Sequence, residues 1–462
     1  MAIDAGTGSV RAVLFDLKGN QIGCSQHEWT HNEDPRFPGS MDFDWKYNWE
    51  LASGCVRNVL AETKIDPAEI AAISTTCMRE GILLYDKDGN EIWACANVDA
   101  RSNDEVAELI RMNPDLELEL YKKSGQSYAL NAIPRILWVK NNMPDIYEKT
   151  AKIGMFNDWL IYKLTGVLAV EPSNGSTTGL LDLQTRTWDT EIAAKCNLRT
   201  DIFPDILECG SISGKVTAKG ASETGLAEGT PVVVGGGDCQ LGTIGVGACK
   251  PGEAAVFGGS FWQYEFNTES GKTDPYGRVR VNCHAVPGVW QYEALAFKPG
   301  LVMRWFRDGF CQEEKRKAKE IGDDPYNLMN QAAEKIPAGC YGMMCCFSDI
   351  MNFINWKHAA PTFTNFELLP EKFNKYTFYR SILENTAMLV KGHIELVKEA
   401  TGNEPDKLIF AGGASVSDLW SQILADVTGK PVVTPVVKEA TALGAAIIAG
   451  SVSYTHLTLP TT

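Results

Sequence analysis

The sequence predicts an α/β protein built from two domains, and three observations support this. The chain has 462 residues, which is too long for one ordinary hydrophobic core. Strand patterns recur between longer helical patterns. A strand, glycine turn and strand at the start, AIDAGTGSVRAVLF, return near the middle as GEAAVFGGSFWQYEF. Two hairpins could match by coincidence, but their position at the start of each half favours a duplication.

The first half opens as a β-meander. VRAVLFD and QIGCSQHEW alternate like strands on either side of the turn LKGN. A P-loop needs GxxxxGK[ST] leading into a helix, and no such motif occurs. A helix is predicted behind Asp44 as its N-cap, followed by the strand AAISTT and the hairpin GILLYDKDGNEIWAC.

The middle of the chain is predicted to be mostly helical over residues 104–166 and to end at the helix stop Thr165 and Gly166. GSTTGLLDLQTRTWD is typical of a hairpin region. The strand VVVGGGD then leads to Asp238. Either its glycines form a turn and Asp238 caps the next element of the chain, or they let a ligand approach the backbone while Asp238 points into a cleft.

The second half adds the long helix YRSILENTAMLVKGHIELVKEATG and the strand, Gly-Gly turn and helix of KLIFAGGASVSDLWSQILADVTG. We predict an N-terminal domain over residues 1–246 and a C-terminal domain over 247–450. Few hydrophobic residues precede Asp4, so we expect part of the first strand to be missing. Residues 451–462 abandon the helical pattern and are interpreted as a foreign or disordered tail.

Composition narrows the possible functions. The hydrophobic fraction is 44 % and the charged fraction 22 %, which is typical of globular proteins. A net charge of −15 argues against nucleic acid or an anionic membrane surface as a partner. No signal peptide opens the chain, and no stretch approaches the roughly 20 apolar residues of a membrane span. The thirteen cysteines contain no CxxC pair, so a reducing cytoplasm is predicted.

Two hairpin tips rich in glycine and small hydroxyls could hold a polyphosphate, because their backbone N–H groups are suitable donors. These tips are GTGS (Gly6, Thr7, Gly8, Ser9) and GGS (Gly258, Gly259, Ser260). The alternative is that both are ordinary turns. Asp4, beside the first tip, could hold Mg²⁺ through water or could simply cap a turn. A flat base could lie against Gly412 and Gly413, although a plain strand–helix connection looks the same.

Polar residues near two further strand ends suggest a site for several hydroxyls. Arg79 and Glu80 follow a buried strand, where an arginine can donate and a glutamate accept. Asp99 and Arg101 form a second pair of the same character. A surface salt bridge and an N-cap are the alternatives. A hydroxyl that attacks a γ-phosphate needs a proton acceptor in reach, and Asp238 suits that role.

With these residues in view, the chain resembles the FGGY carbohydrate kinases nearly end to end. The segments that carry the resemblance are IDAGTGSVRAVLFD, PGSMDFD, TCMREGILLYD, WACANVDAR, GGGDCQLG, GGSFWQ, MRWFRD, FSDIMNFINWKHAAP, FAGGAS and KEATALGAA. The resemblance implies two actin-like (ribonuclease H-like) ATPase domains around a central cleft, with ATP and Mg²⁺ as ligands.

The resemblance also implies roles for individual residues. Asp238 would be the catalytic base, and Asp4 would hold Mg²⁺ through water. The acceptor would be bound by Met78, Arg79, Glu80, Asp99 and Asp238. The nucleotide would be bound by Gly6, Thr7, Gly8, Ser9, Arg11, Gly258, Gly259, Ser260, Gly300, Arg304, Gly412, Gly413 and Ser417. Many relatives have Gly-Thr in the second phosphate loop and often Asn in place of Ser417, so this chain departs from the pattern at two points.

Within the family, the longer matching segments imply phosphorylation of the terminal hydroxyl of a linear dihydroxy-pentanedione, a quorum-sensing signal. A kinase for a pentulose or another ketose is the alternative on the same scaffold. An actin-type ATPase without a small acceptor and a catalytically inactive sugar-binding regulator are the alternatives from other classes. The expected partners are ATP and a polyol or dione acceptor, without nucleic acid or membrane, and a homodimer is left open.

Overall fold

The computed structural model describes residues 1–355, 360–437 and 439–453. A mixed six-stranded sheet forms the centre of each half of the chain, and smaller sheets and helices surround it. The predicted α/β class is therefore confirmed. The segment FSDIMNFINWKHAAP lies partly outside the described residues.

The first half contains thirteen strands and ten α-helices among its described residues. Its strands are β1 (Ala2–Ala5), β2 (Ser9–Phe15), β3 (Gln21–Glu28), β4 (Ile73–Cys77), β5 (Ile82–Tyr85), β6 (Glu91–Cys95), β7 (Lys152–Met155), β8 (Ala169–Val170), β9 (Leu181–Asp182), β10 (Thr187–Trp188), β11 (Asp205–Ile206), β12 (Ile212–Lys215) and β13 (Pro231–Gly237). Its helices are α1 (Trp45–Thr63), α2 (Asn103–Met112), α3 (Leu116–Ser124), α4 (Ala132–Asn142), α5 (Pro144–Lys149), α6 (Phe156–Thr165), α7 (Pro172–Gly175), α8 (Thr190–Lys195), α9 (Ala218–Thr224) and α10 (Asp238–Gly245).

The second half has fewer elements. Its strands are β14 (Ala254–Gly258), β15 (Trp262–Thr268), β16 (Arg280–Cys283), β17 (Trp290–Ala296), β18 (Met344–Cys346), β19 (Thr362–Thr364), β20 (Leu408–Ala411) and β21 (Val432–Val433). Its helices are α11 (Pro299–Phe310), α12 (Gln312–Ile321), α13 (Pro325–Ala333), α14 (Lys375–Thr401), α15 (Asp418–Thr428) and α16 (Ala440–Ser453).

The two large sheets share the topology of five of their six strands. The first has the order β12-β13-β4-β1-β2-β3 and the second the order β16-β17-β15-β14-β20-β21. In each, an antiparallel meander (β1-β2-β3 or β14-β15-β17) adds two parallel strands beside its first strand. The two repeated hairpins therefore occupy equivalent positions, which supports the duplication inferred from sequence.

Local signals explain several helix boundaries. The Asp44 side chain accepts a hydrogen bond from the N–H of Tyr47, so it caps α1 as predicted. Helix α6 ends at Thr165, and Gly166 follows in the left-handed region with φ of 73°. That helix stop was also predicted. The region 104–166 is largely helical, but β7 interrupts it and joins β5 and β6 in a small sheet.

Helix α16 packs on the first sheet although it comes from the end of the second half. Its residues Ala442 and Ala445 join a buried cluster with Val13 of β2 and Leu241 of α10. Glycines bring α16 and α10 together: a Cβ on Gly444 would lie 1.9 Å from the Leu241 carbonyl oxygen. The helix extends to Ser453, within the segment predicted to be a tail, and residues 454–462 lie outside the described residues.

The glycine run before Asp238 differs from both sequence-based interpretations. Gly235, Gly236 and Gly237 belong to β13 rather than to a turn. A Cβ on Gly235 would lie 1.7 Å from the carbonyl oxygen of Thr75 in β4. At Gly236 it would meet Ser173, and at Gly237 it would meet Gln240 and Arg79. The glycines therefore make room for neighbouring protein atoms and not for a ligand. Among the described residues, no helix is both long and apolar enough to cross a bilayer.

Candidate active site

Three parallel strands of the first sheet end at the same level, and a charged residue accompanies each end. The last residues of β1 and β13 both pair with the last residue of β4. Asp4 lies in β1, Arg79 follows β4, and Asp238 follows β13 directly. Since the carboxyl ends of parallel strands meet at one edge of a sheet, these three charged residues share that edge.

Asp238 is the first residue of α10 and the centre of this edge. The N–H of Cys239 donates to its Oδ1 at 2.8 Å, and 37 % of its side-chain surface is exposed. Burial of the remainder, opposed by Arg79 and reinforced by Glu80, raises the pKa of Asp238 to about 6. At neutral pH this carboxyl is mainly ionised, yet it is a stronger base than an ordinary aspartate.

Arg79 and Glu80 are held by charged residues of the second sheet. Arg79 forms an ion pair with Glu293 of β17, and its Nε lies 3.4 Å from Oδ1 of Asp238. Glu80 Oε1 lies 2.7 Å from Nη1 of Arg280 in β16. Both pairs join the first domain to the second. The structure thus brings together three predicted site residues and adds two that sequence reasoning did not identify.

The backbone of Glu80 is also fixed. Glu80 has φ of 66°, a conformation that costs energy for a residue with a side chain and that occurs often at functional sites. Arg135 donates to its carbonyl oxygen, and a second guanidinium nitrogen of Arg135 donates to the carbonyl oxygens of Asn97 at 2.7 Å and Asp99 at 3.1 Å. Arg135 therefore fixes both chain segments that were predicted to bind the acceptor.

Two of the predicted acceptor residues are engaged elsewhere. Met78 is 1 % exposed and belongs to the hydrophobic core of the first domain. The carboxylate of Asp99 accepts hydrogen bonds from Arg101 at 2.8 Å and from the N–H of Met41 at 2.6 Å. Arg101 also pairs with Asp42. The structure does not join Asp99 to Asp238, and its partners fix a loop in the first domain.

Asp4 belongs to a short chain of charges. Arg11 donates through Nε to Oδ2 of Asp4 at 2.8 Å, and its Nη1 lies 2.5 Å from Glu439, which directly precedes α16. Burial raises the pKa of Asp4, although Arg11 opposes the shift. Sequence reasoning did not assign Glu439, even though it lies in the motif KEATALGAA.

The predicted residues of the first phosphate loop are Gly6, Thr7, Gly8 and Ser9. Trp29 Nε1 donates to the carbonyl oxygen of Gly6 at 3.0 Å, and His31 Nε2 lies 2.8 Å from that of Thr7. Asn97 donates to the Thr7 hydroxyl at 3.0 Å. These contacts hold the loop by its oxygens and do not use its backbone N–H groups.

The predicted residues of the second phosphate loop are Gly258, Gly259 and Ser260. A Cβ on Gly300 would lie 2.0 Å from the Gly259 carbonyl oxygen, so glycine is required where α11 meets the loop. Arg304, one turn along α11, places Nη2 3.3 Å from the Ser260 hydroxyl. Four of the predicted nucleotide residues therefore come together, and a guanidinium group lies beside the loop.

The Gly-Gly turn after β20 lies against the same loop. Gly412 has φ of 92° and ψ of −179°, a combination that is essentially confined to glycine. A Cβ there would lie 2.7 Å from the Gly258 carbonyl oxygen, whereas Gly413 faces open space. Ser417 accepts a hydrogen bond from the N–H of Trp420 and caps α15. Its hydroxyl thus has a structural partner.

A group of possible metal ligands lies beneath Asp238. The ligand atoms of Cys239, Glu265 and Glu293 lie within 4.8 Å of one another. The Glu293 carboxylate, however, already faces the guanidinium groups of Arg79 and Arg280, which repel a cation. We therefore assign no metal to this group.

The residues that sequence reasoning missed have one detectable signal. Glu265 and Glu293 occur at alternate positions of strands that are otherwise rich in apolar residues. A charged residue on a strand with both faces buried is costly unless it is paired or neutralised. Period-two patterns in WQYEFNT and WQYEALA could therefore have indicated a polar sheet face.

Comparison with known proteins places this geometry in context. The model of the N-terminal domain of the FGGY family of carbohydrate kinases matches residues 1–245, and that of the C-terminal domain matches residues 267–452. The chain is 51 % identical over 451 residues to proteins named autoinducer-2 kinase from Yersinia enterocolitica and Yersinia pestis. These alignments cover 97 % of this chain and 85 % of each relative.

Solved structures share the fold at lower identity. Xylulose kinase from Rhodospirillum rubrum has a TM-score of 0.86 and 23 % identity, covering 99 % of this chain and 90 % of that chain. The Plasmodium falciparum glycerol kinase with ADP has a TM-score of 0.84 and 22 % identity, covering 97 % and 88 %. Both likenesses extend over the two domains.

Proposed function

The chain belongs to the FGGY family of carbohydrate kinases, and we propose that it transfers the γ-phosphoryl group of ATP to the terminal hydroxyl of autoinducer-2, the linear dihydroxy-pentanedione signal. The observation that carries this proposal is the Asp238 carboxylate, partly exposed at the shared edge of three parallel strands and tuned to a pKa of about 6. The acceptor is taken from the named relatives, which are half identical over nearly the whole chain.

The chain's own groups can perform the proton chemistry of this transfer. The acceptor hydroxyl oxygen forms a bond to the γ-phosphorus while the bond to the β-phosphate bridging oxygen breaks and ADP leaves. Asp238 receives the hydroxyl proton. Its raised pKa lies closer to neutral pH than that of an ordinary aspartate, which makes it a better proton acceptor. Arg79 and Glu80 are held by residues of the second sheet. Arg79 can donate hydrogen bonds to the other oxygens of the substrate, and Glu80 can accept them from its hydroxyls.

The nucleotide is assigned to the two hairpin tips and the Gly-Gly turn. Backbone N–H groups of residues 6–9 and of Ser260 are assigned as donors for phosphate oxygens, whereas the N–H of Gly259 donates to the Phe261 carbonyl oxygen at 2.9 Å. Arg304 adds positive charge beside Ser260. The adenine base of the nucleotide is assigned to Gly412 and Gly413. Arg11 lies in the same region, where it donates a hydrogen bond to Asp4. Ser417 is left out of this assignment because it caps α15.

Asp4 suits a magnesium ion held through water. Its carboxylate is an oxygen ligand of the kind that Mg²⁺ prefers, and Arg11 contacts only its Oδ2 among the described residues. When bound, the ion neutralises charge on the phosphates. Burial raises the pKa of Asp4, and Arg11 opposes this shift and so favours the ionised form.

The experiment that tests the proposal is coupled ADP release with ATP and Mg²⁺. The acceptors are dihydroxy-pentanedione, xylulose, ribulose and glycerol, with an acceptor-free control. A strong preference for the dione is expected. A preference for a ketose would keep the fold and the base but replace autoinducer-2 with a ketose as the substrate. ADP release that does not depend on any acceptor would overturn the kinase assignment. The proposal includes a cytoplasmic location, for which the thirteen free cysteines are suited.

A further inference from the structure

One face of the second sheet is unusually polar where it meets the first domain. Alternate residues of β15 and β17 point to this face, and the two strands pair in antiparallel register. The polar residues on it are Gln263, Glu265, Asn267, Gln291 and Glu293. Glu265 and Glu293 lie directly opposite each other, so two carboxyl groups face one another across neighbouring strands.

The two carboxyl groups have very different surroundings. Glu293 is fully buried and is contacted by Arg79, by Arg280 Nη1 at 3.3 Å and by Asn282 Nδ2 at 3.4 Å. Neither oxygen of Glu265, which is 1 % exposed, has a hydrogen-bond partner within the part of the chain that the structure describes. One carboxyl group is thus the centre of an ion-pair network, and its neighbour is left out of it.

The surroundings determine the charge on each group. Burial raises the pKa of Glu265 well above its usual range, and the charge of Glu293 adds to this effect. Burial also acts on Glu293, but Arg79 and Arg280 outweigh it, and the pKa of Glu293 is lowered. Burial thus favours the protonated form of Glu265, whereas the two guanidinium groups favour the ionised form of Glu293.

We propose that Glu293 is a positioning residue for phosphoryl transfer, which holds the Arg79 guanidinium with its Nε toward Asp238 and, through Arg280, fixes Glu80. This inference rests on the proposed function, because that function gives Asp238 and Arg79 their roles. It means that the second domain, which also supplies most of the nucleotide site, organises the acceptor half of the site across the domain boundary.

The effect of Glu293 on the pKa of Asp238 depends on all titratable groups in and around the ion-pair network. These groups are Asp4, Arg79, Glu80, Asp238, Cys239, Glu265, Arg280 and Glu293. Without the charge of Glu293, the positive charge of Arg79 is less compensated and acts more strongly on Asp238. The pKa of Asp238 then falls, and a less basic carboxylate accepts the hydroxyl proton less effectively.

The test compares pH profiles of kcat for the wild type, Glu293→Gln and Glu265→Gln. The midpoint is the pH at which kcat reaches half of its plateau value on the acid side of the profile. For Glu293→Gln we expect this midpoint to move down by about one pH unit and the plateau of kcat to fall about tenfold. Glu265→Gln is the matched control, since it makes the same change in the residue directly opposite. Because neither oxygen of Glu265 has a hydrogen-bond partner among the described residues, the midpoint of Glu265→Gln is expected to stay within about 0.3 pH unit of the wild type.

A third variant covers poor folding of Glu293→Gln. Glu293→Asp keeps the charge but shortens the side chain, so its midpoint should stay near that of the wild type while kcat falls severalfold. An unchanged kcat in Glu293→Asp, or a folded Glu293→Gln with the wild-type midpoint, would overturn the inference, as would an equal shift in Glu265→Gln. A wild type without acceptor-dependent ADP release would instead overturn the proposed function itself.

Discussion

The two domains present the same strand order at the cleft but different chemistry. At the edge of the first sheet, Asp4, Arg79 and Asp238 are charged, and each has an ion-pair partner. At the corresponding edge of the second sheet, β14 ends in Gly258 and β20 is followed by Gly412, and a Cβ on either glycine would lie 2.7 Å from a protein atom. The two sheets therefore share a scaffold, and the residues at their strand ends differ in chemical character.

This difference predicts two kinds of failure. A change at the first edge alters a charge or a proton acceptor and should reduce kcat. A change at the second edge adds atoms to the close-packed backbone of the proposed nucleotide site and should raise KM for ATP. Four variants test this division, beginning with the largest expected effect.

Asp238→Asn should reduce kcat by about 10²–10⁴-fold with little change in KM for ATP, because the amide cannot accept the hydroxyl proton. Steady-state ADP release with saturating acceptor measures both constants. Asp44→Asn is the control, since asparagine caps a helix as well as aspartate does and α1 should be unaffected. Near-full turnover in Asp238→Asn would remove the base from the first edge and end the comparison.

Gly412→Ala should raise KM for ATP about tenfold or more with a smaller effect on kcat. Its backbone conformation is nearly restricted to glycine, and strain of about 1–3 kcal/mol is expected with any side chain. Gly402→Ala is the control, because Gly402 also has a positive φ of 78°, a Cβ there would meet no atom within 4 Å, and no nucleotide role is assigned to it. Isothermal titration with ATP checks the binding directly. Equal losses of ATP affinity in the two variants would mean that the backbone conformation at Gly412 is not the specific cause.

Glu439→Gln should raise KM for ATP about two- to fivefold, since it removes one of the two anionic partners of Arg11, in a pair that is only partly buried. Titration of ATP at fixed Mg²⁺ measures the change. Glu404→Gln, in an ion pair with Lys398 on the surface, should leave KM unchanged. A loss of kcat alone in Glu439→Gln would place this charge chain with Asp238 instead.

Ser417→Ala should lower the free energy of unfolding by about 0.5–2 kcal/mol through loss of the α15 cap, and KM for ATP should not change. Denaturant unfolding and ATP titration separate the two effects. Ser417→Asn should restore most of the stability, because asparagine is also a good cap. An increase in KM without a loss of stability would return Ser417 to the nucleotide site, as the sequence alone predicts.

Much of the fold could be predicted from the sequence because its signals are local. The repeated strand, glycine turn and strand marked both meanders, Asp44 marked the start of α1, and Gly166 marked the end of α6. Each signal reflects the conformational preference of a few consecutive residues, such as a capping side chain or a left-handed glycine. Asp238 was found in the same way, at the end of a strongly apolar strand.

For other residues the structure shows contacts that the sequence did not indicate, and their assigned ligand roles stay predictions. Met78 entered the core, Asp99 paired with Arg101, and Ser417 capped a helix, although each lies beside a motif of the site. The glycines of β13 were interpreted through turn chemistry, but neighbouring strands and side chains required them. A residue type in a motif does not reveal which of several possible hydrogen-bond partners it meets.

By itself, the sequence determined the two meanders, the helix ends, the hairpin tips and the position of Asp238, the proposed base. Only the tertiary structure aligned the ends of β1, β4 and β13, returned α16 to the first sheet, and paired Arg79 with Glu293, which lies 214 residues away. The physical reason is range: caps, turns and periodicity act over a few residues. Strand register and domain packing decide which distant charges meet, and here those charges complete the candidate active site.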